Sequence, residues 1–191
     1  MTTEFLKATD KFEGGMIANT GAGETAKATG QYFIECFDKD GNLKWRDETH
    51  NLVVNVGLQY MAGVALTSTT QITTWYIGLY GAGASNTPAA TDTMSSHIGW
   101  TEVTPYAGSR PTATFASATN ANPSVVTNSA SPASFSINAT QTVGGAFLVS
   151  NSTAGGSTGT LFSAADFQSP GDRSVVSGDT LNVTYTFSLA G

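Results

Sequence analysis

Few stretches of this 191-residue chain carry residue types that could do chemistry. Gly155-Gly156-Ser157-Thr158-Gly159 has the Gly-x-Ser-x-Gly spacing of a nucleophile elbow. That device needs a strand before the serine, a helix after it, and a histidine later in the chain. Here strand-like pattern lies on both sides, and His50 and His97 both precede the serine, so the stretch reads as a turn. Asp38, Asp40 and Asn42 resemble the opening of a calcium loop, but Gly41 arrives too early and the closing acid is missing. Asp92 and His97 lie five residues apart in a loop with His50 elsewhere, which is not zinc-site spacing. Gly21-Ala22-Gly23 has no strand before it and so lacks the context of a dinucleotide loop.

Two carboxylates stand near aromatic residues, Glu102 beside Trp100 and Asp166 between Phe162 and Phe167. A glycosidase would need such a pair set a few ångströms apart, and nothing in their spacing brings them together. Trp75, Tyr76, Trp100 and Tyr106 are the residue types of a sugar-binding surface, though aromatics of this kind more often pack a core. These readings predict no catalytic residue, no metal site and no cofactor.

The elements that would position these groups read as mainly β. Thr74–Tyr80 is apolar on both faces and ends in Gly81-Ala82-Gly83, the pattern of a strand buried on both sides at the centre of a sheet. Gln31–Phe37 alternates, with Tyr32, Ile34 and Cys36 on one face. The turn Asp38–Asn42 then returns the chain along Leu43–Arg46, its Asp-Gly pair supplying the positive φ of a hairpin. Val56–Leu66 is the best helix candidate, with Asn55 expected as its N-cap. Leu58, Met61, Ala62, Ala65 and Leu66 fall at helical spacing in it, and Gly57 and Gly63 would permit close approach to a sheet. Ala82–Met94 reads as a loop.

Further strands are expected at Gly99–Tyr106 (with Pro105 placing it at an edge or end), Thr112–Ala116, Ala133–Ala139, Thr142–Ser150, Gly159–Phe162, Arg173–Val176 and Thr180–Leu189. A polar loop is expected between Ala116 and Pro132. Some ten short strands with one helix predict a β-sandwich of the jelly-roll-like kind over residues 31–191. Residues 1–30 form an N-terminal arm in this reading. Thr3–Phe12 has the pattern of one or two helical turns, and a polar thread without periodicity follows. The isolated apolar residues Phe5, Leu6, Phe12, Met16 and Ile17 are its expected anchors on a neighbouring subunit.

Charge sharpens the picture. Six of the eight basic residues lie at or before Arg46, and nine of the fourteen acids at or before Glu48. Charged residues make up 12% of the chain, about half the usual share. Such a surface lacks the usual means of keeping a free monomer dispersed and suits a protein covered by neighbours. The formal charge of −6 and the absence of a basic cluster argue against a nucleic-acid partner. Cys36 is alone, so no intrachain disulfide forms. The first residues lack the apolar run of a signal peptide and no run is long enough to span a membrane, so synthesis in the cytoplasm and no membrane partner are expected.

Asn51-Leu-Val-Val-Asn-Val-Gly-Leu58, Trp75-Tyr-Ile-Gly-Leu79 and Ala90-Thr-Asp-Thr-Met-Ser-Ser-His-Ile-Gly-Trp-Thr-Glu102 begin an ordered series of motifs. It continues through Arg110-Pro111, Phe135-Ser-Ile-Asn-Ala-Thr140, Val143-Gly-Gly-Ala-Phe-Leu148, Thr158-Gly-Thr-Leu161 and Ser177-Gly-Asp-Thr-Leu181. Over residues 31–189 the chain thereby resembles a family of small virion proteins of tailed bacteriophages. The resemblance implies a non-enzymatic structural role. Its foremost form is a capsid decoration, or cement, protein made in the host bacterial cytoplasm and residing in the virion. The partners so implied are the major capsid protein and copies of itself, as a homo-oligomer (trimer or dimer). The alternatives are a head-fibre or tail-fibre component binding host surface glycan, and a tail or connector subunit.

Overall fold

The alternation at Gln31–Phe37 becomes the inner part of β1 (Lys27–Phe37), which begins four residues earlier than its pattern suggested. Tyr32, Ile34 and Cys36 are fully buried on one face. The computed structural model describes residues 26–81, 87–167 and 171–191. The predicted N-terminal helical turns and the five candidate anchors lie outside the described residues.

Gly41, at φ +82°, makes the expected turn into β2 (Leu43–His50), and β1 and β2 pair antiparallel. The chain then runs through β3 (Leu52–Val53), α1 (Asn55–Leu66), β4 (Trp75–Gly81), β5 (Glu102–Val103) and β6 (Thr112–Ala113). It continues through β7 (Ser124–Thr127), β8 (Ala133–Ser136), β9 (Gln141–Val149), β10 (Leu161–Asp166), β11 (Arg173–Val175) and β12 (Thr180–Ala190). One sheet has the order β2-β1-β12-β7, with β8 also paired to β12. The other has the order β3-β10-β9-β4-β5, with β11 on β9 and β6 on β4. Every pairing among the described residues is antiparallel. β1 and β12, the first and last of the described strands, lie side by side, so the chain winds out and returns as a jelly-roll-like β-sandwich.

Between the sheets, Tyr32, Ile34 and Cys36 of β1 and Leu181, Val183 and Tyr185 of β12 meet Ile77, Leu79, Val143 and Leu148 of the opposite sheet. β4 and β9 are also buried on their outer face, as expected from their unbroken apolar runs. The cover there is not another layer of strands. Val54, Met94 and Trp100, from the segments before α1 and before β5, close over Tyr80, Phe147, Val149 and Leu161. Two glycines make room for the rings. A Cβ on Gly78 would lie 2.1 Å from Phe147 Cζ, and one on Gly145 would lie 2.1 Å from Tyr80 Cζ.

Several expectations are corrected. Only Glu102–Val103 of the run Gly99–Tyr106 is strand, because Trp100 turns back to cap the outer face. The stretch read as a polar loop before Pro132 contains β7, whose Val125 and Val126 extend the sheet beside β12. The N-cap position of α1 is Val54, with no side-chain cap, and Asn55 is already helical. The Asn55 N–H donates to the Ala90 carbonyl at 2.8 Å, which supplies by tertiary contact what a capping side chain would otherwise provide.

Candidate functional site

Most of the groups whose residue types could do chemistry are occupied by the fold. Arg110 is the clearest case. Its side chain is fully buried and forms a two-pronged pair with Glu102, Nε to Oε1 at 2.8 Å and Nη2 to Oε2 at 2.6 Å. The same guanidinium donates to the carbonyls of Asn151 and Gly156 at 2.8 and 2.9 Å. It also stands 5.3 Å from the Phe147 ring centre. Glu102 Oε2 accepts a further bond from the Gly155 N–H at 2.8 Å. The Gly155–Gly159 stretch is therefore a loop pinned by Arg110 and Glu102, with Ser157 exposed and positive φ at both end glycines. It lies between β9 and β10 and not at a strand-to-helix turn.

Glu102 and Asp166 do fall in one row across the sheet. Glu102 pairs with Tyr80, Tyr80 with Gly145, and Gly145 with Asp166. Three strand spacings put their Cα atoms roughly 14 Å apart, and the Glu102 carboxylate is turned to Arg110. The ring of Tyr80 occupies the row over Gly145, with its hydroxyl 3.4 Å from Asp166 Oδ1. Burial, and then the charge of Asp172, raises the Asp166 carboxyl above its ordinary range.

Asp92 and His97 build the cap on the outer face. Asp92 Oδ2 accepts from Trp100 Nε1 and from the Ala89 N–H, both at 2.9 Å. His97 stacks on the Trp100 indole at 3.8 Å between ring centres, with Nδ1 at 2.8 Å from the Trp100 carbonyl. Asp38 serves its turn: Oδ1 accepts from the N–H groups of Asp40 and Asn42 at 2.9 and 2.8 Å. The Asn42 backbone bond, followed by its side-chain bond, lowers the Asp38 carboxyl below its usual range. Among the described residues no cluster of three metal-ligating side chains occurs. Of the four candidate sugar-binding aromatics, Trp100 and Tyr106 are buried in the core, while Trp75 and Tyr76 are half-buried.

What remains accessible around α1 is a surface without charge. From Thr49 to Thr91 the sequence has no Asp, Glu, Lys or Arg, and α1 lies within this tract. Gly57 is the only buried residue of the helix. A Cβ there would meet the Phe162 carbonyl oxygen at 2.3 Å, so the helix backbone rests directly on β10 through this glycine. The close approach expected of Gly63 is instead to the Thr69 side chain. The apolar stripe picked out by helical spacing faces largely outward: Leu58 is 43% exposed, Leu66 86%, and Ala62 and Ala65 are also exposed.

Beside the helix an apolar groove opens between the sheets. Tyr60, Trp75, Phe115, Val126 and Phe187 form its half-buried rim and Phe162 part of its floor, around a cavity of about 140 Å³. Tyr60 and Phe162 both stand edge-on to Trp75, with ring centres 5.4 Å away in each case.

Comparison with protein-family models, characterised proteins and solved structures gives no match. The groove was not visible to sequence reasoning. Phe187 read as one more inward residue of β12, and Phe115 and Val126 belong to stretches read as a short strand and a loop. The adjacent β-branched pair Val125-Val126 was the one local signal. Also beside α1, and sharing Tyr60 with the groove, Gln59, Thr69, Thr93 and Thr160 line an open, uncharged pocket of about 370 Å³.

Proposed function

We propose that this chain is a non-enzymatic structural protein of a tailed-phage virion, acting as a capsid decoration (cement) protein that bridges neighbouring subunits. The observation that carries the reading is α1: an uncharged helix whose leucines face outward on a tract of 43 residues without an acidic or basic side chain. Burying one such leucine at an interface is worth about 1.5–3 kcal/mol, whereas on a free surface it invites association. The resemblance of residues 31–189 to small virion proteins supports the same role. Its partners are then the major capsid protein and further copies of itself, as a dimer or trimer. Phe5, Leu6, Phe12, Met16 and Ile17 are the proposed anchors of the N-terminal arm on a neighbour.

The test is occupancy on the particle. Full-length chain and a variant lacking residues 2–17 are added to phage heads stripped of the protein, and bound copies are counted in a low-resolution reconstruction. The deletion leaves the sandwich folded and sharply lowers occupancy. Undiminished binding would defeat the arm, and a solitary monomer with no affinity for the head would defeat the role.

A second reading, a head-fibre or tail-fibre component that binds host surface glycan, is favoured by one feature. The pocket beside α1 joins an aromatic face, Tyr60, to an amide and three hydroxyls without any charge, a lining suited to a neutral sugar. Glycan-array binding by the isolated protein, lost in Gln59→Ala, would favour this reading over the first.

A further inference from the structure

The aromatic groove combines features that restrict what can fill it. Its six named side chains carry no charge, and Tyr60, whose hydroxyl accepts the Ile72 N–H at 2.7 Å, presents its ring to the cleft. A cavity of about 140 Å³ holds one large apolar side chain. The sandwich itself supplies no candidate, since its inward residues are already committed to the two core clusters. The segment ahead of β1 does. Met16-Ile17 sits inside residues 14–23, which carry no charge, so an uncharged thread meets an uncharged groove.

The end of β1 lies close by. Lys27 pairs with Ala190 and Gly30 with Phe187, so the preceding chain departs from the same end of the sandwich where Phe187 lines the groove. Ile17 precedes Lys27 by ten residues, a span of roughly 33–36 Å when extended. One inserted side chain buries far less than the roughly 800 Å² per partner of a stable interface. The outward-facing α1 stripe adjoins the groove through Tyr60, and a single occupant that covers both is another subunit.

We propose that the groove receives the Met16-Ile17 segment of a second copy of this chain, whose body covers the outward face of α1. The inference rests on the proposed role as a self-associating particle subunit and names where one copy grips the next. Exchange of an identical segment between copies is a low-cost route to such assembly.

The test uses the full chain with Cys36→Ala, which removes its lone thiol. One preparation carries Ile17→Cys and the other Val126→Cys. The two are mixed and oxidised, and covalent products are read on a non-reducing gel. Circular dichroism confirms that each variant is folded. The mixture gives a two-chain species at least about tenfold above either preparation alone, a ratio equivalent to about 1.4 kcal/mol of preferred placement. Adding Met16→Asp to the Ile17→Cys chain abolishes it.

If light scattering shows self-association but the mixture gives no excess of cross-link, the groove inference fails while the structural role stands. A chain with both cysteines that links only within itself on dilution also overturns it. If the unmodified chain stays monomeric at every concentration and shows no affinity for heads, the role fails together with the inference.

Discussion

Replacing Arg110 by methionine should cost more stability than any other single surface-distant change in the loops, and the structure sets the size. The side chains of Arg110 and Glu102 are 0% and 6% exposed, so both charges have left water. Removing the guanidinium leaves a buried carboxylate whose one remaining described donor is the Gly155 N–H. Breaking a buried pair from one side costs about 3–5 kcal/mol. For a domain of this length that is a fall in Tm of roughly 6–20 °C. The double variant Arg110→Met/Glu102→Leu, which removes both charges, should recover most of the loss.

Urea unfolding of wild type, the two single variants and the double variant closes the cycle. We expect a coupling of at least about 2 kcal/mol between the two sites. A loss below about 1 kcal/mol in Arg110→Met, the level of a solvent-exposed pair, would refute the view that this pair holds the two loops together. Limited proteolysis gives an independent check, because cleavage should rise between residues 150 and 160, where the guanidinium holds the Asn151 and Gly156 carbonyls.

Gly145→Ala should destabilise by about 1–3 kcal/mol through overpacking. The new Cβ would lie 2.1 Å from Tyr80 Cζ and 2.3 Å from the Ala165 carbonyl oxygen, and a changed near-ultraviolet dichroism should report the displaced ring. Leu58→Lys with Leu66→Lys should leave the urea midpoint nearly unchanged, within about 0.5 kcal/mol per site, yet reduce self-association measured by light scattering. Burial, and then the charge of Asp179, pushes the Cys36 thiol up to about 12. The unfolded thiol ionises near about 8.5, so between these values the folded chain holds the extra proton. Stability should therefore fall as pH rises through that window. A Cys36→Val variant should show a shallower fall in urea midpoint from pH 8.5 to 10, and an unchanged slope would clear the thiol.

The strands that carry strict alternation or unbroken apolar runs are legible in the sequence itself. β1, β4, β9 and β12 are where their patterns put them, because period-two burial leaves its mark on every residue. The outer cap was not legible. Trp100 looked like a strand residue, and only its bond to Asp92 and its stack with His97 explain why it turns onto the sheet. The partnership of Arg110 with Glu102 joins groups eight residues apart whose shared environment comes from a third, distant loop. For α1, spacing identified the helix but not its orientation. Gly57, read as permitting close approach, does press against the sheet, while the leucines that helical spacing picked out are left on the other side.

The pairing of β1 with β12 along all eleven of their residues has a consequence for biosynthesis. While the ribosome is still making the intervening chain, β1 has emerged without its central neighbour, and only the short hairpin with β2 can form. The interior cannot close until β12 has emerged, so native structure should form late and slowly, as befits contacts so distant in sequence. Until then the nascent polypeptide shows Tyr32, Ile34 and Cys36 to its surroundings, an apolar strand face prone to aberrant association.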